Sequence, residues 1–119
     1  MVGVVSANAD CYALSFEAGK PVETASANTF ADGVAVRVPV PAALEVILAG
    51  AERIVRVSDD EVKAAMKHFY TDTHNLIEGA GAAPLAALLK NPPGKSKRVA
   101  VIASGGNIDR EAYLAALSG

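Results

Sequence analysis

Val99-Ala100-Val101-Ile102-Ala103-Ser104-Gly105-Gly106-Asn107 runs from unbroken apolar residues straight into small and polar ones. A short apolar run with no alternation is the pattern of a strand covered on both faces, which is how parallel sheets are built. Ser104 to Asn107 then reads as a tight turn, and Ile108 to Leu117 as a closing helix. The same alternation recurs upstream. Val2 to Val5 is another apolar run, and Arg53 to Val57 is β-branched and alternating. Ala42 to Ala51 carries Leu44, Ile47 and Leu48 at helical spacing, after a proline at a position where a first helical turn accepts it. Strands alternating with helices predict an α/β fold with a mainly parallel sheet.

One helix is specified more sharply than the rest. Ser58-Asp59-Asp60-Glu61 is a capping box, in which the Ser58 hydroxyl and the Glu61 carboxylate satisfy each other's backbone N–H groups. Acidic residues also suit the positive end of a helix. Val62, Ala65, Met66, Phe69 and Tyr70 follow at the spacing of one buried face. Ala82 to Lys90 predicts a further helix, stopped by Asn91-Pro92-Pro93-Gly94. Leu76 to Glu78 reads as extended, and Gly79 to Gly81 as a break. Val34 to Val38 alternates weakly and suggests a strand, whereas Ser6 to Phe30 has little periodicity and reads mostly as loop. Together these give about four short strands and four helices.

Composition narrows the function. The chain has 119 residues, 51% hydrophobic and 20% charged, with a net charge of −2. That balance supports a globular core and offers no basic surface for nucleic acid. A single cysteine, Cys11, excludes an internal disulfide framework and fits a reducing, cytoplasmic setting. No apolar run approaches the roughly 20 residues of a membrane span. Met1 to Val5 has neither the basic nor the long apolar region of a signal peptide and reads as a strand with no lead-in, as in a truncated or split chain. Gly94-Lys95-Ser96 imitates the end of a phosphate-binding loop but precedes a strand, with Leu89 where the earlier glycine belongs. His68 and His74 do not share a helical face. Cys11 has no basic neighbour in sequence to activate it and reads as a packing or surface residue.

Ser104-Gly105-Gly106-Asn107 follows a strand and precedes a helix, the place where parallel sheets collect ligands. Two glycines admit a flat ligand close to the backbone, and a hydroxyl can bond one ring nitrogen. Taken alone, it is equally a turn with glycines for geometry. Val101-Ile102-Ala103-Ser104-Gly105-Gly106-Asn107-Ile108-Asp109 resembles the segment of fold-type II pyridoxal-phosphate (PLP) enzymes that sets a serine against the pyridine nitrogen. Thr29-Phe30-Ala31-Asp32-Gly33-Val34-Ala35 resembles the family's Thr-Ile-Ala-Asp-Gly stretch. Val57-Ser58-Asp59-Asp60-Glu61 resembles its Val-Ser-Asp-Asp-Glu, and Glu78-Gly79-Ala80-Gly81-Ala82-Ala83 its Glu-Gly-Ala-Gly-Ala. Four segments in order, covering nearly the whole chain, resemble the tryptophan synthase beta-like threonine/serine dehydratases.

The resemblance implies that residues 1–119 are the C-terminal part of the catalytic domain. The fold expected is a partial three-layer, parallel-sheet α/β domain, incomplete without the N-terminal part. The implied cofactor is PLP in the complete enzyme, with Ser104, Gly105, Gly106, Asn107, Glu78 and Gly79 as cofactor-binding residues. Asp32 with Gly33 is expected to shape a loop. The implied parent reaction is β-elimination, L-threonine to 2-oxobutanoate plus ammonia, or L-serine to pyruvate. The alternatives are a serine racemase-like enzyme and a non-catalytic α/β binding or assembly module.

Departures from the family carry equal weight. The lysine that holds PLP as a Schiff base lies upstream of these motifs, as does the glycine-rich phosphate loop. None of Lys20, Lys63, Lys67, Lys90, Lys95 and Lys97 stands in a matching context, so no catalytic residue is assigned and the chain alone is expected to be inactive. Lys63 and Lys67 are expected on the solvated face of their helix. Some relatives hold a divalent cation with Glu-x-x-x-Ala-x-Asp. The matching positions here are Val5, Ala9 and Cys11, so no metal is expected. The implied partners are the amino-acid substrate, the missing N-terminal portion and further copies of the chain, with neither nucleic acid nor membrane.

Overall fold

The computed structural model describes residues 1–119. β1 (Val2–Ser6) and β2 (Arg53–Val57) pair in parallel, Val2 opposite Arg53 through Ser6 opposite Val57. Five α-helices complete the order: α1 (Cys11–Ala18) and α2 (Pro41–Gly50) between the strands, then α3 (Asp59–Thr73), α4 (Gly79–Lys90) and α5 (Arg110–Ser118). The α/β class and the parallel sheet agree with the sequence. No helix is long and apolar enough to cross a membrane.

α3 forms as its sequence requires. Glu61 N–H donates to the Ser58 hydroxyl at 3.2 Å, and Ser58 N–H donates to the Glu61 carboxylate at 2.8 Å. Three acidic residues occupy the first turn. The buried face, Val62, Ala65 and Met66, packs on Ala82, Ala83, Ala86 and Ala87 of α4 and on Tyr113 and Ala116 of α5. The alanine face of α4 permits close approach of the helices, so the core is filled largely by small side chains.

Four expectations give way, the first only in part. The segment from Ser6 to Phe30 is mostly loop, as expected, but Cys11–Ala18 within it is helical. Its buried residues are Cys11, Ala13 and Ser15. Small and polar groups leave no apolar stripe in the sequence to announce a helix. Val34 to Val38 is not a strand. A short 3-10 turn spans Asp32–Val34, and the backbone that follows bonds to other segments, Arg37 C=O accepting from Thr24 N–H at 3.0 Å. Gly79 to Gly81 is not a break but the first turn of α4.

The fourth is Arg98 to Ala103, which joins no sheet. Val99 is 52% and Ile102 74% exposed. The residues have the composition of a doubly covered strand, but a strand is made by its neighbours' hydrogen bonds, and no neighbour lies alongside. The total is therefore two strands and five α-helices.

Candidate functional site

The four segments singled out in the sequence come together in space. Thr29 Oγ donates to Asp59 Oδ1 at 2.5 Å, tying the first segment to the start of α3. At the start of α4 the first and third segments meet at van der Waals limit. A Cβ on Gly79 would lie 2.9 Å from Ala31 Cβ and 3.1 Å from Phe30 Cε2, and one on Gly33 would lie 2.8 Å from Ala80 Cβ.

The third and fourth segments are clamped together. Glu78 N–H donates to Gly105 C=O at 3.0 Å. A Cβ on Gly106 would lie 2.6 Å from Leu76 O, and one on Gly81 would lie 3.0 Å from Gly105 O. Glu78 Oε1 stands 2.5 Å from where a Gly105 Cβ would be. Gly81 and Gly106 serve approach of backbone to backbone, and they fix the 104–107 turn against the entrance of α4.

Beside this clamp is a cleft of about 290 Å³, lined in part by Phe30, Asp32, Glu78, Gly79, Asn107 and Asp109. Three of the six expected cofactor residues, Glu78, Gly79 and Asn107, line it. Ser104, Gly105 and Gly106 do not. Ser104 is exposed, next to the clamped Gly105, and its hydroxyl makes no hydrogen bond within the protein. Asp32 lines the cleft as well as shaping its loop. Phe30, Ile108 and Asp109, which also line it, lie within or beside the quoted segments, but nothing in their spacing marked them.

The chemistry of the cleft favours one part of a PLP molecule over another. Its lining carries the carboxylates of Asp32, Glu78 and Asp109 and no cation. A phosphate dianion would be repelled there, so these residues do not form the phosphate cradle. The Ser104 hydroxyl, free and one residue from the clamp, is suited to a neutral ring nitrogen. The residues present therefore fit the pyridine edge of the cofactor.

No lysine lines the cleft. Lys63 Nζ sits 5.4 Å from the Phe30 ring centroid and is half-buried there, not on a wholly solvated face. Lys67 Nζ donates to Gly119 C=O. Lys90 Nζ donates to Arg56 C=O and to Glu61, at 3.1 and 3.2 Å.

The positions matching the cation motif do not fit a hard cation. The Val5 side chain has no oxygen to offer. Cys11 is fully buried, and its thiol donates to Val36 C=O at 3.2 Å. Burial raises the Cys11 pKa, a backbone bond opposing and Asp10 adding to the rise, so the thiol stays neutral. Hard cations want carboxylate and carbonyl oxygens.

The fold is that of the fold-type II PLP enzymes, matched here as a partial domain. The family model for pyridoxal-phosphate dependent enzymes matches residues 1–105, and the chain belongs to that family. L-threonine ammonia-lyase of Geobacter sulfurreducens is 36% identical over 110 residues, and that of Thermotoga maritima 32% over 109. Each alignment covers 92% of this chain but 27% of the relative, so the chain spans about a quarter of their length. Among solved structures, processed threonine deaminase isoform 2 from Solanum lycopersicum superposes with TM-score 0.90 at 29% identity, covering 98% of this chain and 35% of that one. Maize serine racemase superposes with TM-score 0.86 at 28% identity, covering 98% and 37%.

Proposed function

We propose that these residues form the C-terminal part of a PLP-dependent catalytic domain. The complete enzyme converts L-threonine to 2-oxobutanoate and ammonia, or L-serine to pyruvate and ammonia. The observation that carries this reading is the bond from Glu78 N–H to Gly105 C=O, which holds the residue after the exposed Ser104 against a residue that lines the cleft.

Bound PLP supplies an electron sink for the carbanion formed at the substrate α-carbon. The chain's own part is positional. Ser104 would bond the ring nitrogen with a neutral hydroxyl, which does not enforce a positive charge there as a carboxylate would. That weaker sink suits an elimination in which the substrate expels its hydroxyl promptly. Gly105 and Gly106 let the turn lie flat against α4. Glu78, Gly79 and Asn107 border the ring's position, and Glu78 also holds the turn through its backbone.

By this reading the 119 residues alone do not turn over substrate. Lys67 and Lys90 already have partners away from the cleft, Lys63 stands over the Phe30 ring at its border, and the cleft's carboxylates disfavour the phosphate. The N-terminal portion supplies the amine and the phosphate loop. A cytoplasmic, reducing location suits the lone thiol of Cys11. Racemisation of serine is the second reading, favoured by the maize serine racemase superposition.

The test is cofactor retention. The chain is dialysed against PLP-free buffer alone, and again after association with the N-terminal portion of its domain. Retention only in the associated form, reduced at least several-fold by Ser104→Ala, is expected. Retention unaffected by Ser104→Ala would remove the assignment of the ring nitrogen.

A further inference from the structure

The misfit at the cation motif has a counterpart beside it. Val5, which stands where cation-binding relatives have a glutamate, pairs across the sheet with Arg56. The Arg56 guanidinium reaches the same corner of the fold. Its Nε donates to Asp10 Oδ2 at 2.9 Å, and Asp10 is the residue immediately before α1. Its two terminal nitrogens donate to both carboxylate oxygens of Glu17 on α1, at 2.7 and 3.2 Å. Three donors of one planar fork thus bind two carboxylates, one of them bidentate.

We propose that Arg56 is a built-in cation that replaces the divalent metal of cation-binding relatives, fastening the β1–α1 corner to β2. The corner needs positive charge. Asp10 and Glu17 both face it, and the side chain of Asp10 is 24% exposed, too enclosed to rely on water alone. A metal would have to displace Arg56 and find carboxylates where Val5 and Cys11 stand. Lys90 extends the network, donating to Arg56 C=O from α4. The fold of this chain, and of the enzyme containing it, is therefore indifferent to divalent cations and chelators. The inference does not depend on the proposed reaction.

Amide hydrogen exchange of α1, with the unfolding midpoint, tests this on the full chain. Both are measured with Mg²⁺, Ca²⁺ or Mn²⁺ at millimolar concentration, and with EDTA. The expected result is no change in the midpoint or in α1 exchange under any of the four. Arg56→Met should accelerate exchange in Cys11–Ala18 by about tenfold relative to α3, and Glu17→Gln by a smaller factor in the same helix. Arg56→Lys should recover only part of the protection, because an ammonium cannot bridge both carboxylates in the plane of a fork. If Arg56→Met does not fold, the exposed Glu17→Gln still reports on α1. A saturable rise in midpoint with any of the three ions, or α1 exchange unchanged in both Arg56→Met and Glu17→Gln, would overturn the proposal.

Discussion

Replacing Gly106 with alanine should injure the protein more than replacing its neighbour Gly105, although both are turn glycines. A methyl on Gly106 would lie 2.6 Å from Leu76 O and 3.3 Å from Leu76 Cδ2. The first contact is with backbone, and either the turn or the 76–78 segment must recede by most of an ångström. That movement pulls on the bond from Glu78 N–H to Gly105 C=O. Overpacking of this kind costs about 1–3 kcal/mol, and losing the bond adds about 1 kcal/mol. We expect a total of about 3 kcal/mol, roughly 10 °C in the unfolding midpoint of a domain this size. A methyl on Gly105 would lie even closer to its nearest atom, 2.5 Å, but that atom is Glu78 Oε1, the end of a flexible side chain. Glu78 can rotate away, so Gly105→Ala should stay within about 0.5 kcal/mol. Urea denaturation of the two variants and the parent decides this. Equal stability of the two variants, or the reverse order, would show that the 104–107 turn is not clamped as described.

Tyr113 has a buried hydroxyl without a hydrogen-bond partner, and burial raises its pKa. Tyr113→Phe should therefore be neutral or stabilising by up to about 1 kcal/mol in urea denaturation, and a loss of that size would mean that the hydroxyl has a partner. Ser58→Ala removes the cap of α3 and should cost about 1 kcal/mol, read from the same measurement. The Glu61 pKa is lowered chiefly by the Ser58 N–H and further by Lys90, so its stabilising contribution is complete above the ordinary value of 4.5 and is lost as pH falls below it. A midpoint that falls with pH across that range, less steeply in Glu61→Gln, is expected; identical slopes would refute the linkage. With both strands open along their outer edges, and Val99 and Ile102 exposed, the isolated chain should self-associate. Light scattering should give a mass above 12.1 kDa that grows with concentration, and a constant monomer mass would show that the surface is tolerated in water.

What could be read in advance divides along the range of the interactions. α3 was legible because its capping box and its apolar stripe lie within one stretch of chain. β2 was legible from β-branched alternation. α1 was not, because Cys11, Ala13 and Ser15 bury a face of small groups, with the Ser15 hydroxyl bonding Cys11 C=O at 2.6 Å. Arg98 to Ala103 reads as a strand and lacks one, since pairing depends on a neighbour that no local pattern can supply. At the candidate site, Ser104, Gly105, Gly106, Glu78 and Gly79 were singled out through motif order, and the fold brings their two segments together. Phe30 and Asp109 reach the cleft only through folding. The Arg56 network was invisible because its partners Asp10 and Glu17 lie 46 and 39 residues away.

The central claim is that this chain completes a PLP-dependent deaminating enzyme. The most direct measurement is keto-acid release after mixing the purified chain with the N-terminal portion of its domain, PLP and L-threonine. Formation of 2-oxobutanoate and ammonia in equal amounts by the mixture, by neither part alone, and depressed by Ser104→Ala, is what the account predicts. Full turnover by the N-terminal portion without this chain, or a stable, PLP-loaded mixture that releases no keto acid from L-threonine or L-serine, would contradict it.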